Sequence, residues 1–166
     1  LNDGGGFFTD ATAGRFPGLA TEETREADLG DVDGDGDLDL YLANVLFSPG
    51  KDPQDRLLIN DGHGFFTDET ATRIAKEKAN TPEADFVDVD RDGDLDLVTA
   101  NFIDSKAWRV SLNDGTGVFK EATGSVLPGG LHGEGVDVEA ADFNGDGRTD
   151  LYLSSYVGTD RLLLAR

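Results

Sequence analysis

Asp31, Asp33, Asp35, Asp37 and Asp39 occupy every second position of a nine-residue stretch, and the stretch recurs. Asp88, Asp90, Asp92, Asp94 and Asp96 repeat it. Asp142, Asn144, Asp146, Arg148 and Asp150 repeat it again with two substitutions. Carboxylates at this density repel one another unless a cation lies among them. The chemistry is that of a hard, oxygen-seeking ion. Calcium takes six to eight oxygens in flexible geometry, whereas magnesium demands an octahedron and retains water. Gly36, Gly93 and Gly147 stand at position 6, where the backbone must curl if positions 1, 3, 5 and 9 are to converge. Position 7 (Asp37, Asp94, Arg148) is read as a backbone carbonyl ligand, because an arginine side chain is no metal ligand. The expectation is about three Ca2+ ions, one per loop. The third site should be the weakest, since Asn144 removes one carboxylate.

The elements that must position these loops follow from a repeat. The loops begin at 31, 88 and 142, spacings of 57 and 54 residues. A second motif keeps step with them: Leu1-Asn2-Asp3-Gly4, Ile59-Asn60-Asp61-Gly62 and Leu112-Asn113-Asp114-Gly115. Each is followed by an aromatic and a threonine: Phe8 and Thr12, Phe66 and Thr70, Phe119 and Thr123. The three phenylalanines recur in phase and are expected in the core. One repeat parses into four strands. The first enters the Asp loop, as at 83–88. The second leaves it with apolar and β-branched residues, at Leu38–Asn44, Leu95–Asn101 and Thr149–Ser155. The third spans Asp55–Asn60, Trp108–Asn113 and Asp160–Leu164. Asn-Asp-Gly then turns the chain into the fourth, because Asn and Gly tolerate positive φ. The fold class is therefore all-β, with β-propeller-type four-stranded antiparallel blades in three repeats. The stretch 72–80 is the one plausible helical turn. An EF-hand would need a Glu at position 12 and flanking helices. Leu42, Thr99 and Leu153 stand there within strand patterns, which excludes it.

Composition supports this reading. The chain has 166 residues and a formal net charge of −20, and 13 of its 34 acidic residues lie in the three loops. Such charge argues against nucleic acid and against unaided docking on anionic membranes. No apolar run approaches the length of a membrane span, so direct membrane insertion is not expected. Cysteine is absent, which removes disulfides and thiolate chemistry. The chain lacks methionine and begins at Leu1, as expected of a processed product or an excised piece. Calcium at millimolar levels points to an extracellular or cell-surface protein, secreted, with the periplasm as an alternative.

The D-x-D-x-D-G-x-x-D loop, the L-D-L-Y-L-A-N strand and the L-x-N-D-G-x-G-x-F-x-D-x-T hairpin together resemble FG-GAP/VCBS-type repeats, carried by integrin α-chain heads and many bacterial surface proteins. The resemblance spans nearly the whole chain. It implies calcium-stabilised propeller blades, usually about seven per ring, with the loop residues as ligands. It implies no particular partner.

Three repeats are too few for a ring, and the termini are out of phase. Residues 1–12 read as an isolated last strand, followed by repeats at 13–70, 71–123 and 124–166, the last incomplete. Asp160-Arg-Leu-Leu-Leu164 matches the third strand Asp55-Arg-Leu-Leu-Ile59, so the last blade is expected to be completed by the N-terminal strand. That strand could come from the same chain or from a neighbour, giving self-association through terminal strands as a dimeric ring or a filament. The alternative is a fragment of a larger, about seven-bladed propeller.

Catalysis finds little support. His132-Gly-Glu134 has no nucleophile or third orienting group nearby, and His63 lies within a hairpin turn. Ser48, Ser111 and Ser154 lack a nucleophile-elbow pattern. Trp108 occurs in one repeat, which favours packing between blades over sugar stacking. Asp28, Asp85 and Glu139 recur three residues before each loop, suited to lining the centre of a ring. The expected function is non-catalytic: a structural or adhesive module, with a propeller binding a protein or glycan as the alternative.

Overall fold

The computed structural model describes residues 4–19, 21–78, 80–102 and 106–166. Its strands are β1 (Thr24–Gly30), β2 (Asp39–Asn44), β3 (Arg56–Asn60), β4 (Phe66–Asp68), β5 (Asn80–Val87), β6 (Asp96–Phe102), β7 (Trp108–Asn113), β8 (Phe119–Glu121), β9 (Gly133–Ala141), β10 (Asp150–Gly158) and β11 (Arg161–Leu163). They form antiparallel sheets in the orders β1-β2-β3-β4, β5-β6-β7-β8 and β9-β10-β11, here called blades 1, 2 and 3. Each Asp loop joins the first two strands of a blade, and each Asn-Asp-Gly turn joins the third and fourth strands of blades 1 and 2. The all-β, blade-like architecture expected from the repeat is what folds.

Two details differ from expectation. Blade 3 has three strands, and no N-terminal strand joins it among the described residues. Leu1, Asn2 and Asp3, on which that expectation partly rests, lie outside the described residues. Instead the segment after them runs onto blade 1: Arg15 Nη1 donates to His63 O at 2.5 Å, and Phe16 packs on Phe66 at 5.8 Å between ring centroids. Phe8 is therefore not a core residue. It is 81% exposed, because no fourth strand forms around it, whereas Phe119 is buried between blades. The helical turn expected at 72–80 forms earlier, at Thr70–Arg73, and a second single turn at Thr123–Val126, each directly after the fourth-strand motif. The matching stretch Thr12–Arg15 is irregular, with non-helical backbone at Ala13 and Gly14.

The first strands stand side by side, β1 against β5 and β5 against β9. Two junctions bury the core. Tyr41, Ala43 and Leu57 of blade 1 pack on Ala84, Leu97 and Phe119 of blade 2. Val98, Val110 and Trp108 of blade 2 pack on Val138, Leu151 and Leu153 of blade 3. At the first junction Asp55 accepts from Asn44 N (2.7 Å), Tyr41 OH (2.9 Å) and Thr81 Oγ1 (2.7 Å). Burial raises its pKa to about 7. At the second junction Trp108 replaces that aspartate and donates from Nε1 to Asp137 O at 3.4 Å, so it does pack between blades. Gly135 stands opposite: a Cβ there would overlap the Ala107 carbonyl oxygen and lie 3.0 Å from Asn101 N. Only glycine lets the backbones approach that closely.

Candidate metal centre

Asp at position 1 winds each loop. Asp31 Oδ1 accepts from Gly34 N (2.9 Å) and Asp35 N (3.1 Å), and Asp31 Oδ2 from Gly36 N (3.0 Å). Asp142 makes the same three bonds, to Gly145, Asp146 and Gly147. These backbone donors, Gly147 foremost, hold the Asp142 carboxyl below its ordinary pKa. Position 6 is left-handed in all three loops, with φ of 94°, 101° and 81° at Gly36, Gly93 and Gly147. Position 4 is left-handed as well. Gly34 and Gly145 tolerate this, but loop 2 places Arg91 there at φ 69°.

Asp at position 9 lies at the buried base, where Asp39 and Asp96 are 0% exposed and Asp150 1%. Asp39 Oδ2 accepts from Val32 N (3.2 Å) and Oδ1 from Asn60 N (2.9 Å). Asp96 bonds Val89 N and Asn113 N in the same way, and Asp150 bonds Phe143 N and Ala165 N. One buried carboxylate thus ties the loop to the end of the third strand. Burial raises the pKa of Asp39 and Asp96 above the ordinary carboxylate value.

Positions 1, 3 and 9 come together. Asp31, Asp33 and Asp39 each offer a carboxylate oxygen within 4.8 Å of the others, as do Asp88, Asp90 and Asp96. The position 5 carboxylates lie outside these triplets and use one oxygen locally: Asp35 Oδ1 accepts from Asp37 N (3.0 Å), Asp92 Oδ1 from Asp94 N (3.0 Å) and Asp146 Oδ1 from Arg148 N (2.9 Å). Position 7 carboxylates point elsewhere, with Asp37 over Gly62 and Asp94 over Gly115, so that a Cβ at either glycine would collide. In loop 3, Asn144 donates from Nδ2 to Asp146 Oδ2 (3.2 Å) and accepts from Asp146 N (2.9 Å). The Arg148 guanidinium lies 4.0 Å from Asp146.

The donor set fits a hard cation: all oxygen, converged, and with Asp33 Oδ1 buried and lacking a hydrogen-bond partner in the structure. Its other oxygen, Asp33 Oδ2, is 3.2 Å from Arg73 Nη2. Arg73 also bonds Glu69 (2.6 Å) and the Thr116 carbonyl of the blade 2 turn, clipping loop 1 to the next blade. Asn113 Nδ2 adds a second link by donating to Val32 O at 2.7 Å. Sequence reasoning missed this arginine. Its signal was arginine at the same place after the fourth-strand motif in two periods, Arg15 and Arg73, with Val126 in the third.

A set of carboxylates also lines the first strands. Glu26 and Asp28 (β1), Glu83 and Asp85 (β5), and Asp137 and Glu139 (β9) occupy matching positions. Asp28 Oδ2 accepts from Phe86 N (2.7 Å) and Glu83 Oε2 from Val138 N (2.8 Å), each bridging to the next blade. Burial first, then neighbouring carboxylates, raise Glu26 to about 7, Glu83 to about 8 and Asp85 to about 6. His132 and His63 are exposed, and no catalytic constellation forms around them among the described residues.

The span from Asp88 to Leu153, which begins at loop 2 and ends in β10, matches a family model. Residues 88–153 are similar to an FG-GAP-like repeat. The matched span holds loops 2 and 3 and most of the junction between their blades, so it exceeds one period of the chain. Loop 1 lies outside the matched span but has the same internal spacing and the position 1 hydrogen bonds of loop 3. No curated protein matches the chain. No helix among the described residues is long and apolar enough to cross a membrane.

Proposed function

We propose that this chain is a calcium-stabilised, non-catalytic structural or adhesive module that works outside the cell or at its surface and associates with further copies through its terminal strands. The observation that carries this reading is the buried position 9 aspartate. It belongs to the converged carboxylates and also holds the end of the third strand, so cation binding and blade integrity share one side chain. Asp31, Asp33 and Asp39 would hold one ion, and Asp88, Asp90 and Asp96 another. Asp142, Asn144 and Asp150 would hold a third more weakly, with backbone carbonyls at position 7 completing each set. The ion supplies charge neutralisation and cross-linking. Thermal unfolding with calcium and with chelator tests this. An unchanged melting temperature would sink the calcium assignment.

A second reading, binding of a glycan or protein ligand, is favoured by an aromatic row. Phe47, Phe102 and Tyr156, one from each blade, stack edge to face at 6.1 Å and 5.6 Å, and Arg25 lies 4.9 Å over Phe47. Phe47 and Tyr156 are exposed. The recurrence is not at one repeat position, so the period concealed it. A glycan array in calcium tests this reading: reproducible hits lost in a Tyr156→Ala variant support it, and an array without hits counts against glycans.

A further inference from the structure

Blade 3 repeats on an exposed face the groups that blade 1 buries. Register makes Tyr152 the equivalent of Tyr41, and Leu162 that of Leu57. Tyr41 and Leu57 are 3% and 0% exposed, covered by blade 2, whereas Tyr152 and Leu162 are 36% and 54% exposed. The polar centre of the junction is present too. Asp160 accepts from Tyr152 OH and Ser155 N, both at 2.9 Å, just as Asp55 accepts from Tyr41 OH and Asn44 N. What Asp160 lacks is the hydroxyl that Thr81 of the following blade gives Asp55.

At the other end, blade 1 exposes the matching half. By register Ala27, Leu29 and Leu40 are the counterparts of Ala84, Phe86 and Leu97, which cover blade 1. Ala27 is exposed and Leu29 is 54% exposed. Thr24 stands 57 residues before Thr81 and donates to Asn44 Oδ1 (2.7 Å), as Thr81 contacts Asn101 Oδ1 (3.4 Å). The chain therefore has two junction types, Asp55 with Thr81 and Trp108 with Gly135. Its unmatched halves, Asp160 and Thr24, are both of the first type.

We propose that the outer face of blade 3, centred on Tyr152, Asp160 and Leu162, is an inter-blade interface that takes blade 1 of a second copy of this chain, with Thr24 donating to Asp160. The inference rests on the self-association reading and assigns the surfaces that reading leaves open. The contact is head to tail, so it closes into a ring or extends as a filament.

The chain has no cysteine, which makes cross-linking clean. Thr24→Cys and Asp160→Cys single variants are mixed at equal concentration in calcium and oxidised. The expected product is the mixed dimer, in excess over both homodimers, with the 24–160 disulfide identified by peptide mass spectrometry. In parallel, light scattering on the unmodified chain should show a multimer that Leu162→Arg reduces to monomer mass with an unchanged circular dichroism spectrum. Multimers without the 24–160 disulfide overturn this interface and leave association by another surface standing. A chain that stays monomeric at every concentration overturns both.

Discussion

Loops 1 and 3 share a backbone and differ in charge. Asp31 and Asp142 accept from the same three amides, and Asp39 and Asp150 tie the same two places together. At position 3, however, loop 1 has Asp33, with one oxygen unpartnered and the other on Arg73. Loop 3 has Asn144, whose amide is satisfied by Asp146. The comparison separates two jobs. Positions 1, 6 and 9 make the turn, and position 3 sets how strongly the turn attracts a cation. Loop 3 therefore has less charge to offset than loop 1, where Arg73 already supplies one cation.

Chelation breaks the comparison most severely. At calcium ~100-fold above the dissociation constant, each occupied site contributes about 2.7 kcal/mol. Scanning calorimetry should show a large drop in melting temperature, dominated by loops 1 and 2. Asp39→Ala comes next. It orphans two backbone amides, and a loss of about 2–5 kcal/mol is expected in urea denaturation even with chelator present. Asn144→Asp sharpens the contrast from the other side. Titration calorimetry should show the weakest site gaining roughly tenfold in affinity, about 1.4 kcal/mol. Arg91→Gly relieves a left-handed arginine and should stabilise the metal-free chain by about 1 kcal/mol.

A pH scan separates loop charge from first-strand charge. Glu83 is raised to about 8 by burial, with Asp85, Asp137 and Glu26 adding to the rise. Its folded value lies above its unfolded one, so the fold favours the protonated carboxyl. The associated stability is fully present below about pH 4.5 and is lost as pH rises toward about 8. In chelator, melting temperature should therefore decline across that window. Glu83→Gln should flatten the decline, and an unchanged slope would remove Glu83 from it. Glu26 and Asp85, raised by burial and by neighbouring carboxylates in the same way, retain the remaining slope.

The period, the strands and the Asp loops were legible because each depends on residues near in sequence: alternation, Asn-Asp-Gly and the Asp spacing. Position 5 was expected in the cluster from spacing alone. One oxygen of its carboxylate takes the amide two residues on, a bond that becomes competitive only once the turn is wound. The Arg73 clip and the carboxylates bridging β1, β5 and β9 were not legible, because their partners lie 40 to 58 residues away. Phe8 was placed in the core because it keeps phase, but phase shows where a strand could form and not whether a sheet exists to receive it.

Gly135 has a consequence for how the chain folds. Repeats this similar invite misdocking, in which a blade settles against the wrong neighbour and traps the chain. The Ala107 carbonyl against a blade bearing Thr81 would meet side-chain atoms where Gly135 leaves none. Asp55 against Gly135 would bury a carboxylate without its hydroxyl donor. Each wrong order is penalised by a clash or by an unmet polar group. The two native junctions thus act as a sorting code, and blades of one pattern assemble in one sequence.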